Sequence, residues 1–262
     1  MDIYDSIGTL KGVGPKALEK FNRASIFNIL DLLLYFPRDY EFCNANIPFE
    51  SIDGEGYHAG KATVFFRTVG CNLRCSWCDS KYTFHAEETS RWLTVEEAFD
   101  EVNKFGIYHV TITGGEPLLE ENKEWMTKFI DELFANGYFV DVETNGAIDY
   151  KYWKNKFIDE PFILIMDWKA PSSKMNSFMF ESNLSILSKS DIVKIVVTDD
   201  DFDEVEKIIN SDTKAQIYIS PVFGQVTMSK IPEFVLKHKD CENLRCQIQL
   251  HKIFWEPDKR GV

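Results

Sequence analysis

The sequence of 262 residues has little positive charge and no long apolar run. Lysine and arginine total 29 against 42 aspartates and glutamates, a net charge of −13, and such a surface repels nucleic-acid phosphates. The most apolar stretch, Ile26 to Phe36, is interrupted by Asp31 and is shorter than the roughly 18 residues of a membrane span. The N-terminus also lacks the pattern of a secretory signal. These absences disfavour a dedicated nucleic-acid binder and a membrane protein, and they predict a cytoplasmic protein.

A phosphate-binding loop and a disulfide framework are missing as well. No GxxxxGK[ST] segment occurs in the chain, which excludes a P-loop motor. The 6 cysteines are too few for a disulfide framework at this length, and cytoplasmic thiols stay reduced. Cys43, Cys241 and Cys246 are scattered, as buried cysteines usually are. The hydrophobic fraction of 44% is typical of an ordinary globular protein with a core.

From about residue 46 onward, segments typical of strands alternate with segments typical of helices. Lys61–Val69 is β-branched and aromatic, and Thr94 with Glu97 forms a capping box that predicts a helix up to Phe105. Further strands are predicted at His109–Thr113, Phe139–Val142, Phe162–Met166, Ile192–Val197, Ile217–Ser220 and Cys246–Leu250, with helices ending near Ala135 and over Phe202–Ile209. The alternation predicts an α/β fold with a parallel sheet, either a barrel or doubly wound. In both, chemistry gathers at the carboxyl ends of the strands.

Three cysteines, Cys71, Cys75 and Cys78, lie close together directly after the first strand. Such a triad can bind three irons of a four-iron cluster and leave the fourth iron open, or it can bind zinc with His85 as a fourth ligand. With Trp77 just before the last cysteine, the spacing resembles the cluster loop of the radical S-adenosylmethionine (SAM) enzymes. That resemblance implies a partial (β/α) barrel and a [4Fe-4S] cluster that binds SAM, with Trp77 packed on the adenine.

Two later strand ends carry segments that fit the same superfamily. The paired glycines in Thr113-Gly114-Gly115-Glu116-Pro117 let backbone lie against a ligand, and the carboxylate can hold an ammonium group. This segment resembles the one by which radical SAM enzymes hold the methionine amino group. Glu143-Thr144-Asn145-Gly146 resembles another SAM-contacting strand end of these enzymes.

Further segments narrow the resemblance. They are Ser51–Gly56, Arg67, Asp79-Ser80, Lys169–Lys174, Ser220–Phe223, Gln249–Lys252 and Lys259–Val262. Together they resemble the 7-carboxy-7-deazaguanine synthases, over about residues 47 to 262. The resemblance implies ring contraction of 6-carboxy-5,6,7,8-tetrahydropterin to 7-carboxy-7-deazaguanine with loss of ammonia, on the pathway to queuosine and related deazapurines of tRNA. It also implies Mg2+, an electron donor such as flavodoxin or ferredoxin, a homodimer and no direct contact with nucleic acid.

The same resemblance assigns the site residues, with no catalytic group beyond the cluster and SAM. Cys71, Cys75 and Cys78 would bind the cluster and Ser80 the Mg2+. SAM contacts are expected from Trp77, Cys78, Asp79, Gly115, Glu116, Glu143, Asp167, Trp168, Lys169, Ser220, Pro221, Val222 and Phe223. Substrate contacts are expected from Ile52, Asp53, Gly54, Glu55, Arg67, Thr113 and Val262, with Arg67 suited to grip a carboxylate. Asp53 stands where the family more usually has Gln, and Asp167-Trp168 stands where many members have Ser-Pro.

The first 42 or so residues do not belong to that family. Leu10–Lys16 and Asp31–Arg38 resemble the extreme N-terminus of RecG-type DNA helicases. Two short helices are expected there, the second capped by Ser25 and ended by Pro37. We therefore expect a helical appendage over residues 1–45, without a helicase motor, and a synthase domain over residues 46–262.

Two other functions compete with the synthase. Met166–Pro171 faintly resembles radical SAM activases that generate a glycyl radical on a partner protein, although such an enzyme has no use for Gly54-Glu55-Gly56 or the terminal Arg260-Gly261-Val262. A nucleic-acid-binding module built on the N-terminal segment is the third possibility. The acidity of the chain argues against it.

Overall fold

The computed structural model describes residues 5–11, 13–23, 26–29, 43–46, 48–86, 90–256 and 259. The chain divides into two compact units, Met1–Tyr40 and Glu41–Val262. The described part of the first unit contains a 3₁₀ turn at Ile7–Thr9 and helix α1 at Pro15–Arg23. Most of the second helix predicted there, between Ser25 and Pro37, lies outside the described residues.

The second unit is built on a mixed sheet that is mainly parallel. Its strands are β1 Cys43–Asn46, β2 Phe49–Ile52, β3 Ala62–Thr68, β4 Ser90–Leu93, β5 His109–Gly114, β6 Phe139–Asn145, β7 Phe162–Trp168, β8 Ile192–Val197, β9 Gln216–Pro221 and β10 Leu244–Cys246. They lie in the order β10-β9-β8-β7-β6-β5-β3-β1-β4, with β2 also paired to β3. From β3 through β5 to β10 all neighbours are parallel, whereas β1, β2 and β4 pair antiparallel. The order ends at β10 and β4, which confirms the predicted partial (β/α) barrel.

Helices connect the parallel strands and cover the outer face of the sheet, except for the short last helix, which follows β10. They are α2 Val95–Asn103, α3 Lys123–Ala135, α4 Lys151–Lys156, α5 Ser182–Ile186, α6 Phe202–Ile209, α7 Lys230–Lys237 and α8 His251–Phe254. The capping box is confirmed, because Thr94 Oγ1 accepts from the Glu97 N–H at 3.1 Å and the Glu97 carboxylate accepts from the Thr94 N–H at 2.9 Å. Core packing is aromatic where Phe66 of β3 meets Trp125 and Phe129 of α3.

The predicted strand Cys246–Leu250 is wrong, since β10 ends at Cys246. The chain leaves the sheet there because it is fastened to the loop between β2 and β3. Gln247 Oε1 accepts from the Gly56 N–H at 2.9 Å, and the Leu250 N–H donates to the Gly54 oxygen at 3.1 Å. The short strands β1, β2 and β4 were not predicted. Among the described residues, no helix is both long and apolar enough to cross a membrane.

Candidate active site

Alternate side chains of the parallel strands point to the inside of the partial barrel and enclose a cavity of about 590 Å³. This volume lies within the usual range of small-molecule sites. The strands contribute Phe65 and Arg67 from β3, Thr113 from β5, Glu143 and Asn145 from β6, Ile165 and Asp167 from β7, and Lys194 and Val196 from β8. The cysteine loop covers the carboxyl end of these strands.

The cysteine loop follows β3 and is tied to three other strand ends. The Gly70 oxygen accepts from the Glu116 N–H at 2.7 Å, after β5. Asn72 Oδ1 accepts from Asn145 Nδ2 at 2.9 Å, at the end of β6. The Ser76 N–H donates to the Ser173 oxygen at 3.0 Å, after β7. These bonds fix the loop at the mouth of the cavity.

All three triad thiols are free and line the cavity. Burial raises their pKa values, that of Cys75 to about 11, so an electropositive centre is needed to keep them as thiolates. The Leu73 N–H already donates to Cys71 Sγ at 3.4 Å, as N–H groups do to cluster sulfurs. His85 is exposed and does not line the cavity, so it cannot complete a zinc site with the triad. The thiols fit a cluster with one side open to the cavity.

The paired glycines at the end of β5, Gly114 and Gly115, allow the cysteine loop to approach. Gly114 has φ +140°, and a Cβ on Gly115 would overlap the Gly70 carbonyl. The Glu116 carboxylate differs from the expectation that it faces a ligand ammonium, because it is fully buried and does not line the cavity. It accepts from Thr144 Oγ1 at 2.7 Å, from the Leu118 N–H at 2.9 Å and from the Asn145 N–H at 2.6 Å. Burial raises its pKa to about 7.

A cation and an aromatic ring lie beside the triad. Lys169 Nζ lies 2.7 Å from Asp167 Oδ2 and 5.3 Å from the centre of the Trp77 ring. Burial opposes the charge of Lys169, but Asp167 and Cys75 together raise the pKa of the lysine above its ordinary value. The Trp77 indole N–H donates to Ser172 Oγ at 3.1 Å, which fixes the ring. Trp168 lies elsewhere: its indole is buried in the core and donates to Glu204 Oε1 at 3.0 Å.

A buried charge network forms the floor of the cavity. Lys194 Nζ lies 2.5 Å from Glu55 Oε2 and 3.9 Å from Asp167 Oδ2. Burial opposes the charge of Lys194, but these carboxylates raise its pKa. Thr113 Oγ1 donates to Glu143 Oε2 at 2.8 Å. Burial raises the pKa of Glu143, although Lys194 counteracts the increase.

Arg67 lies in the wall of the cavity and has a hydrogen-bond donor available for a ligand. Its Nε is buried and has no hydrogen-bond partner among the described residues, and its guanidinium lies 5.9 Å from the centre of the Tyr82 ring. Since buried donors are normally paired, this orphan indicates a missing anionic partner.

Asp79 and Ser80 place hard oxygen atoms at the rim. Ser80 Oγ donates to Asp79 Oδ1 at 3.0 Å, and Asp79 Oδ2 lies 3.0 Å from Lys252 Nζ. Although desolvation opposes it, Lys252 holds the pKa of Asp79 well below its usual range. A carboxylate and a hydroxyl are donors that Mg2+ prefers.

The structure brings most predicted site residues to this cavity. The lining includes Gly54, Glu55, Arg67, Cys71, Cys75, Trp77, Cys78, Asp79, Ser80, Thr113, Gly115, Glu143, Asp167, Lys169, Val222 and Phe223. The predicted residues that do not line it are Ile52, Asp53, Glu116, Trp168, Ser220 and Pro221. Val262 lies outside the described residues.

Asp53 is buried behind the wall and positions its neighbour. Its Oδ1 accepts from the Glu55 N–H at 3.1 Å, and its Oδ2 lies 3.5 Å from Thr111 Oγ1. Burial, together with nearby Glu143, raises the pKa of Asp53 to about 7. The carboxyl can therefore be protonated near neutral pH and donate, as the amide of a glutamine does.

Lys194, His251 and Lys252 also line the cavity. No site role was predicted for Lys194, and His251 and Lys252 were named only within the segment Gln249–Lys252, without a role. A signal for Lys194 exists, because it is the one charge in the strand sequence IVKIVV. With it, the described lining holds four carboxylates and five Lys or Arg side chains. The cavity is thus close to neutral in a strongly acidic chain, which suits anionic and zwitterionic ligands.

Comparison with known proteins places these features in one family. The model of the radical SAM superfamily matches residues 65–160. The 7-carboxy-7-deazaguanine synthase of Clostridium acetobutylicum is 38% identical over 219 residues, which cover 82% of this chain and 96% of that enzyme. The chain belongs to the 7-carboxy-7-deazaguanine synthase family. The synthase of Bacillus subtilis is 32% identical over 241 residues, covering 81% of this chain and 95% of that enzyme.

The fold of this member of the synthase family is similar to that of a solved structure. The crystal structure of QueE from Escherichia coli matches with a TM-score of 0.59 at 21% identity. The match covers 83% of this chain and 98% of that chain. At 21% identity the match supports the fold, and the individual site residues are assigned from the geometry of this chain.

Proposed function

We propose that this chain converts 6-carboxy-5,6,7,8-tetrahydropterin to 7-carboxy-7-deazaguanine with loss of ammonia, for the biosynthesis of queuosine and related deazapurines. One observation carries the proposal: a single cavity has three cysteine thiols at its mouth, an arginine in its wall whose buried Nε has no partner among the described residues, and buried carboxylates at its floor. A radical SAM enzyme that acts on a small anionic heterocycle needs both ends in one enclosed space.

The mouth would hold the cofactors. Cys71, Cys75 and Cys78 bind a [4Fe-4S] cluster, and the cluster with SAM supplies one-electron radical chemistry when bound. Trp77 gives the adenine a fixed aromatic face, because its indole N–H is tied to Ser172. Gly115 leaves its backbone open to the methionine part, and Val222 and Phe223 form the facing wall. Glu116 contributes by holding this backbone in place through the ends of β5 and β6.

The floor would bind the pterin. The wall residue Arg67 has an unpartnered Nε to donate to the substrate carboxylate, which a guanidinium can bind in a bidentate manner. Glu55 can accept from the aminopyrimidinone edge, and it is held for this by Lys194 and by Asp53 behind it. Thr113 and Glu143 add a hydroxyl and a second carboxylate on the neighbouring strands. The floor therefore orients the ring, and the strands and the cysteine loop around it would limit the access of water to the radical step.

The proposed reaction also needs Mg2+ and an electron donor. Ser80 and Asp79 would bind Mg2+ at the rim, with the remaining positions filled by substrate oxygens and water. An electron donor such as flavodoxin or ferredoxin would deliver electrons, and we expect a cytoplasmic homodimer.

An anaerobic assay tests the function. The protein would be reconstituted with iron and sulfide, then given dithionite, SAM, Mg2+ and 6-carboxytetrahydropterin, with 7-carboxy-7-deazaguanine detected by mass spectrometry. Formation of that product is the expected result. If the cluster forms and SAM is cleaved without product, the radical SAM chemistry stands and the substrate is wrong. The same assay without added Mg2+ measures the dependence on the ion.

The N-terminal segment is proposed to be a passive appendage, so that the synthase domain spans residues 46–262. Its resemblance to the start of RecG-type helicases comes without a P-loop in the chain. A chain that begins at Glu41, where the second compact unit starts, should keep its turnover. A loss of turnover, or salt-dependent DNA binding by the full chain alone, would contradict a passive role.

A further inference from the structure

A second group of ligand atoms lies at the amino-terminal end of the parallel strands, away from the cysteine loop. His58 is in the loop between β2 and β3, His109 opens β5, and Asp141 lies in β6. Each offers one donor atom, and these atoms all lie within 4.8 Å of one another. We propose that His58, His109 and Asp141 bind one divalent transition-metal ion, with zinc as the preferred ion.

The distances suit ligands of one ion. His58 Nδ1 lies 2.7 Å and His109 Nε2 lies 3.1 Å from the same oxygen, Asp141 Oδ2. The two imidazole rings are 4.4 Å apart at 68° to each other, so they do not stack. Donors around tetrahedral zinc, with bonds of about 2.0–2.2 Å, are separated by roughly 3.3–3.6 Å. A small opening of the group would therefore admit the ion.

Unsatisfied buried atoms separate this group from an ordinary ion pair. A His58–Asp141 hydrogen bond accounts for one contact only. Asp141 Oδ1 and His109 Nδ1 are buried and have no hydrogen-bond partner among the described residues, and His109 Nε2, although 3.1 Å from Asp141 Oδ2, makes no well-aligned hydrogen bond with it. The Asp141 side chain is only 1% exposed and that of His109 is 11% exposed. Because unpaired buried polar atoms are costly, we infer a cation that accepts one lone pair from the His109 ring and another from the Asp141 carboxylate.

The donor set selects the metal class. Two imidazoles and one carboxylate favour zinc and neighbouring transition ions over Mg2+ and Ca2+, which prefer oxygen donors throughout. His58 is 15% exposed, so a water molecule can reach the fourth position. The ion would hold the loop of His58, which also carries Glu55, against β5 and β6. It would thus brace the cavity floor from below.

Zinc binding by the full chain tests the site. The three triad cysteines are first replaced by Ser, which removes the other cluster of metal ligands. We expect this chain to bind one equivalent of Zn2+ after EDTA treatment and dialysis, measured by competition with a chromophoric chelator and by metal analysis. Co2+ should give visible d–d bands. Zn2+ should also raise the melting temperature.

Variants decide the assignment. Asp141→Asn and His58→Ala should each weaken zinc at least about tenfold and abolish the thermal shift. His238→Ala is the matched control, because His238 lies 3.5 Å from one carboxylate, that of Glu206, and should leave binding unchanged. Far-UV circular dichroism checks that each variant is folded. If Asp141→Asn does not fold, His58→Ala still tests the site, because His58 lies in a loop and its replacement disturbs the sheet less. Equal zinc binding in all variants, or no zinc bound by the triad-free chain, would overturn the proposal. Because these readouts need no turnover, they are independent of the proposed reaction.

Discussion

Replacing Lys194 with Met tests whether one ammonium group holds the buried carboxylates of the cavity together. Its Nζ lies 2.5 Å from Glu55 Oε2, and both side chains are only 8% exposed. Methionine keeps most of the aliphatic stem, so Lys194→Met removes the charge and little packing. The change leaves Glu55 buried without its partner.

Breaking one side of a buried ion pair costs about 3–5 kcal/mol of unfolding free energy. The loss should be larger near pH 8 than near pH 5.5. Without Lys194, the pKa of Glu143 rises further above its ordinary value, so the folded state binds more protons than the unfolded state. Stability then decreases as the pH rises through that interval. The double variant Lys194→Met/Glu55→Gln removes both charges and should recover about 2 kcal/mol or more.

Urea unfolding of the cluster-free protein, followed by circular dichroism at both pH values, measures these differences. Lys128→Met is the control, because Lys128 and Glu124 form an exposed pair at 3.1 Å. It should change stability by about 0.5 kcal/mol or less. A loss below about 1 kcal/mol for Lys194→Met, or a double variant as unstable as the single one, would refute the role assigned to this ammonium.

Three further changes probe other parts of the unit. Cys75→Ala should abolish both the brown cluster absorbance and turnover, and turnover without the cysteine would exclude the cluster assignment. Gly115→Ala should prevent cluster loading, because its Cβ would overlap the Gly70 carbonyl and displace the cysteine loop. The iron content of the reconstituted protein measures this loading. Gly14→Ala is the control, because a Cβ there meets no atom within 4 Å. The Asp53→Asn variant should be as stable as the parent protein near pH 4 and more stable by about 2–4 kcal/mol near pH 8. The reason is that the parent carboxyl, with a pKa of about 7, ionises in this interval and its buried charge destabilises the folded state. Equal pH profiles in thermal melts would contradict the raised pKa of Asp53.

The sequence by itself determined the fold class and the cofactor end of the site. Strand and helix signals are local, so Ile192–Val197 and Phe202–Ile209 are predicted with the bounds observed. The cysteine triad is equally local, because three ligands within one loop reach one centre whatever the rest of the chain does. The parallel order then places the ends of β5 and β6 beside that loop.

Only the tertiary structure decided what each polar side chain faces. Glu116 stands in a ligand-binding segment, yet its carboxylate turns into the wall and bonds to the end of β6. Lys194 meets Glu55, 139 positions earlier in the chain, because β8 and the β2–β3 loop close on the same interior. His58, His109 and Asp141 become neighbours for the same reason. A linear pattern records which face of a strand a residue occupies, but partners across the barrel depend on register and curvature, which the whole folded sheet sets.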